Sequence, residues 1–146
     1  MAGYLDRYGE GEEQREKLIK IVVFSLVGLL IVGGVVYFLF KNYRQERQVK
    51  NFFTLLASKD YQQAYALWGC TESKPCRDYP FSEFMKDWGP QSGRNAAGYH
   101  IAKSRSCGSG VIITVDLPNN REEKLWVERD NLTIGFSPWP GCPPGP

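Results

Sequence analysis

Four cysteines, one histidine and a few carboxylates and tyrosines are the residues of this chain whose types suit chemistry. Cys70 and Cys76 bracket the loop CTESKPC, Cys107 precedes a glycine, and Cys142 lies in the tail SPWPGCPPGP. Thiols ligate metals, exchange electrons or close disulfides, and spacing helps to separate these uses. The C-x5-C spacing departs from the paired knuckles that zinc takes, and no C-x-x-C is present for redox catalysis. Disulfides fit better, and three pairings are open; Cys70 and Cys76 flank one short loop, and Cys107 in a hairpin can reach Cys142 and pin the tail. Four buried free thiols are the plain alternative. His100, beside Tyr99, and Asp78 can be cast as an acid–base set, and together with Tyr65 and Trp68 they are the candidates to line a cavity if a ligand binds. A lone histidine at a strand end is ordinarily structural, however, and aromatic stripes at helical spacing are ordinarily core. The chain has no G-x-S-x-G, P-loop, H-E-x-x-H or paired acidic constellation, so no catalytic residue, metal ligand or cofactor is assigned. Asn131-Leu132-Thr133 matches a glycosylation sequon, but after Asp130 it reads first as a turn.

These residues need elements to hold them, and the plainest element is a membrane span. Ile21 to Phe40, IVVFSLVGLLIVGGVVYFLF, carries no charge over twenty residues, which as a helix matches a hydrocarbon core of about 30 Å. Lys20 enters one end, where its stem can snorkel, and Tyr37, Phe38, Phe40 and Tyr43 supply aromatic rings at the other. No small-residue cleavage site follows, so a signal peptide is the weaker reading. Gly28, Gly33 and Gly34 miss the four-residue spacing of a GxxxG face. Basic residues flank the span on both sides and do not decide its orientation. All four cysteines follow it, which favours a cytoplasmic N-terminus and an exported, disulfide-bonded C-terminal domain, periplasmic or extracellular.

The net charge of +2 hides a division: residues 1–17 are acidic, residues 41–50 carry four cations against Glu46, and residues 51–146 balance. Lys20, Lys41, Arg44, Arg47 and Lys50 therefore form an interfacial collar able to attract anionic headgroups of the lipid bilayer. A balanced domain with one such collar is unsuited to nucleic acid. In the tail, Tyr4, Leu5 and Tyr8 are apolar enough to dock on a partner, although a terminal tail is more often a solvated lead-in.

After the span, three segments place apolar residues at i, i+3, i+4 and i+7: Val49–Leu56, Tyr61–Trp68 and Phe81–Trp88. The first is expected to continue the membrane helix. From Gly98 the period becomes two, giving strands near 99–103, 111–117, 124–128 and 132–136, joined by hairpin turns including SRSCGSG. Helices followed by strands describe an α+β domain: about three helices packed on an antiparallel sheet of about four strands. The expected organisation is a tail (1–17), a transmembrane helix (18–41), the α+β domain (42–137) and a Pro/Gly-rich tail (138–146), the last too proline-rich for a central strand.

The stretch FFTLLASKDYQQAYALW resembles the opening helix pair of nuclear-transport-factor-2-like (cystatin-like cone) domains, in which an Asp-Tyr, Ala-Tyr passage links two helices ahead of a curved sheet. The resemblance covers residues 44 to about 137, and the anchor ahead of it is similar to small membrane-anchored bacterial proteins whose cone domain is exported and of unknown function. It implies a cone-like fold. The family includes enzymes, binding modules and assembly proteins, so it does not fix function. The expected role is a single-pass, non-enzymatic binding or accessory module that engages another membrane or envelope protein. The alternative is a small-molecule-binding domain or weak enzyme using the cone cavity.

Overall fold

A helix satisfies its own backbone polar groups, and the uncharged run takes that form. The structure, a computed structural model, describes residues 10–94 and 96–142; Tyr4, Leu5, Tyr8 and residues 143–146 lie outside that description. Helix α1 runs Glu10–Phe40, 31 residues or about 46 Å. Residues 11–40 are exposed throughout, Leu30 by 76%, and α1 is long and apolar enough to cross a membrane. At its ends Glu16 pairs with Lys20 at 3.7 Å, acid first, and Lys41 Nζ lies 4.3 Å from the Phe38 ring centroid.

The backbone clusters into two units, residues 1–41 and 42–146. In the second, α2 (Tyr43–Ala57) begins after a two-residue turn at Lys41 and Asn42. Asn42 is buried with a non-helical ψ of 5°, and its Oδ1 accepts from Ser106 Oγ at 2.8 Å. That side-chain bond competes with helical geometry, as asparagine commonly does. Helix α2 buries Val49, Phe52, Phe53 and Leu56, one face at helical spacing. It ends where Lys59 takes a positive φ of 60°. Helix α3 (Tyr61–Ala66) is capped by Asp60, which accepts from Gln63 N at 3.2 Å. It stops short of Trp68; its end leaves the Leu67 carbonyl to accept from Ile134 N at 2.9 Å. Helix α4 (Phe81–Trp88) starts after Pro80 and stops at Gly89.

Four strands form one open antiparallel sheet in chain order: β1 (His100–Cys107), β2 (Gly110–Leu117), β3 (Arg121–Glu128) and β4 (Ile134–Phe136). Period two sends Val111, Ile113, Val115 and Leu117 of β2 toward the helices, with Leu125 and Val127 of β3 beside them. Strands β1 and β3 are longer than the apolar alternation indicates. The stretch SRSC is strand rather than turn, because Ser104 and Ser106 face α2 and bond Glu46 and Asn42 there. Leu132 is not in a strand; its φ is +59°. Phe52 sits at the centre of the core, its ring centroid 5.0 Å from Trp88, 5.4 Å from Phe53, 6.1 Å from Trp68 and 6.2 Å from Phe84. Aromatic pairs of this kind add about 0.5–1.5 kcal/mol each beyond area burial.

The tail crosses the other face of the sheet. Ser137 N donates to Lys124 O at 2.9 Å, Trp139 meets Trp126 edge to face at 5.8 Å, and Cys142 is disulfide-bonded to Cys107 at the end of β1. Ile112, paired with Trp126 on this face, is 3% exposed. A side chain at Gly110 would collide with the Trp126 ring, which accounts for glycine there. The second disulfide, Cys70–Cys76, closes the loop between α3 and α4.

Candidate functional site

A strand at the end of a sheet keeps half of its main-chain donors and acceptors unpaired. At one end of this sheet β4 has three residues, and the outward N–H of Ile134 is occupied by Leu67 O. At the other end β1 has eight residues, and among the described residues no main-chain segment pairs with its outer side. Alongside it a cleft of about 510 Å³ separates β1 from α2. Its β1 wall is Tyr99 to Ser104, and its α2 wall is Glu46 and Lys50, one turn apart.

Each wall residue has a cause for its position. Tyr99 stacks on Phe53, centroids 4.4 Å apart and planes 12° apart, which fixes the start of β1 over the core. Between Ile101 and Lys103 the register slips, leaving Ala102 without a β2 partner. Such a bulge bends an edge strand and re-aims its side chains. Ser104 Oγ donates to Glu46 Oε1, so this carboxylate is engaged. His100, Lys103, Arg105 and Lys50 are exposed, and the charge left over along the cleft is positive.

The residues named for a ligand cavity do not come together. Tyr65 is fully buried, its hydroxyl donating to Tyr79 O at 2.7 Å and accepting from Cys76 N at 3.2 Å. Trp68 is 7% exposed and lies among Phe52, Phe84, Trp88, Tyr79 and Phe136. Asp78 is exposed on the α3–α4 loop. Only Tyr99 and His100 line the β1 cleft. The collar residues also divide: Lys20 pairs with Glu16 and Lys41 lies over Phe38, both in α1's unit, while Lys50 faces the β1 cleft. Arg44 and Arg47 line a separate cleft of about 430 Å³ with Gln48, Asn51 and Leu132. All four cysteines are in disulfides, and among the described residues no three His, Cys, Asp or Glu side chains gather as metal ligands would.

One cluster escaped sequence reasoning. Arg94, in the loop before β1 and 17% exposed at its side chain, pairs with Asp87 at 3.1 Å and with Glu123 of β3 at 2.9 Å. Its guanidinium lies 5.0 Å from the Trp88 ring and 5.8 Å from that of Phe136, and Nη1 donates to Asp87 O. Tyr79 donates its phenol to Asp87 Oδ2 at 2.8 Å; burial first, and this bond second, push its pKa well above the ordinary tyrosine range. A cation held between two carboxylates and two rings reads as a lock between loop, α4 and sheet. Nothing in the local sequence marks it, because its members come from five separate stretches of the chain.

No protein-family model, no curated protein and no solved structure matches this chain.

Proposed function

We propose that the chain is a single-pass, membrane-anchored, non-enzymatic binding or accessory module, N-terminus in the cytoplasm, whose exported domain engages another membrane or envelope protein. The observation that carries this reading is the open edge of β1 beside the α2 cleft. A free eight-residue edge gives a partner main-chain hydrogen bonds, and the flanking cleft gives side-chain selectivity, the strand-addition mode of recognition. Self-pairing of two β1 edges is disfavoured, because antiparallel register about Ser104 would set Lys103 against Arg105 of the second copy. The two disulfides and the apolar α1 support an anchored domain in an oxidising compartment. Three helices ahead of an antiparallel sheet also support a relation to the cone-like domains, proposed on element order alone. Of the cavity residues only Tyr99 and His100 share a cleft, so that pair is what the small-molecule or enzymatic alternative rests on.

The test is a photo-crosslinker placed at Ala102, with a second at Gln62 on α3 as reference, in native membranes. A discrete adduct from Ala102 alone, lost on replacing Ser104 by Pro in a chain that still folds, is the expected result. Equal adducts from both positions, or an Ala102 adduct indifferent to the proline, would reject the edge as the docking site.

A further inference from the structure

We infer that the cleft between α2 and Leu132 holds the phosphate of an anionic lipid headgroup; this rests on the membrane-anchored reading above. Arg44, Arg47, Gln48 and Asn51 stand at i, i+3, i+4 and i+7, so one face of α2 presents two guanidiniums and two carboxamides to one cleft of about 430 Å³. No carboxylate lines it, and among the described residues neither arginine has an ion-pair partner, unlike Arg94. Gln48 Nε2 donates to Leu132 O at 3.2 Å, which closes the floor and leaves both guanidinium forks and the Asn51 amide for a ligand. Guanidiniums three positions apart match a tetrahedral oxyanion better than an isolated ammonium does, because each fork can take two of its oxygens.

What identifies the source of that phosphate is the covalent chain. Arg44 follows Phe40 by four positions, a tether of at most about 14 Å. Each headgroup layer is about 5–8 Å thick, and an arginine side chain reaches across it. If α1 spans the bilayer, this tether keeps Arg44 within reach of the zone where lipid phosphates are concentrated, an advantage that free phosphate lacks.

Native mass spectrometry of the full chain released from nanodiscs tests this. Discs of phosphatidylcholine with phosphatidylglycerol should yield chain that retains phosphatidylglycerol selectively. The double variant Arg44→Gln, Arg47→Gln should weaken that retention by about thirty-fold, and the charge-matched double Lys74→Gln, Arg77→Gln, on the exposed α3–α4 loop, should leave it unchanged. Equal losses in the two doubles would reduce the effect to diffuse charge and overturn the site. Displacement of the lipid by excess inorganic phosphate would reassign the cleft to the free ion and overturn the lipid claim. A chain that does not enter the discs would overturn the anchored reading and this inference with it, a result distinct from entry without selective retention.

Discussion

Arg94 shows how much a single side chain can hold. Its two carboxylate partners come from α4 and β3, and Glu123 is only 17% exposed, so removing the cation leaves buried negative charge. Arg94→Met should cost about 3 kcal/mol in urea unfolding. Arg94→Lys should recover little, since one ammonium lacks the planar fork that serves both partners. Lys86→Ala, which breaks the exposed pair with Glu83, should stay within about 0.5 kcal/mol. Tyr79 adds a pH dependence with a definite sign. Its folded pKa is raised above the value of 10.0 that the unfolded chain has, so above about pH 10 the native state holds a proton that the unfolded chain has released. Its contribution to stability is complete below that pH and falls as pH rises. Stability measured from pH 9 upward should therefore decline, and Tyr79→Phe should flatten the decline; an identical slope in the variant would remove Tyr79 as its source.

At the scale of elements, the two disulfides are expected to differ. Cys107–Cys142 spans 35 positions and Cys70–Cys76 spans 6, so on chain entropy the first should contribute about 4 kcal/mol and the second about 2. Paired Cys→Ser variants, compared by denaturant midpoint, check both the order and the gap. Gly110→Ala should be worse than an ordinary strand substitution, because its methyl enters the Trp126 ring. What could be read from the sequence follows from which elements bury one face against one core. Helices α2 and α4 and strand β2 do so, and their apolar periods were legible at Val49–Leu56, Phe81–Trp88 and Val111–Leu117. The second half of β1 was not, because Ser104 and Ser106 spend their hydroxyls on α2 and look like turn residues. The early residues of β3, Arg121 to Lys124, are charged and partly exposed, and they hid its start. Tyr99 and His100 could be singled out by type, but that they border an unpaired edge depends on strand order, which is a non-local property. The division of Arg44 and Arg47 from Lys50 likewise depends on which flank of α2 faces β1.

For the molecule as a whole, the anchored reading predicts that the chain stays with membranes after alkaline carbonate extraction. In intact cells, a membrane-impermeant maleimide should label the exposed Cys142 once a reductant is added and before the membrane is opened. Labelling only once the membrane is opened would reverse the topology. A last consequence concerns mechanical load. The bridge between Cys107 and Cys142 closes a ring that contains β2, β3 and β4. Tension applied between a bilayer anchor and the C-terminus passes from β1 through the sulfur–sulfur bond into the last residues, and the ring carries none of it. About 12 nm of contour length, at roughly 3.5 Å per residue over 35 positions, stays locked until the bond is reduced. Under force, the oxidised domain is therefore a short rope with a knot in it, and a reductant is what pays out the slack.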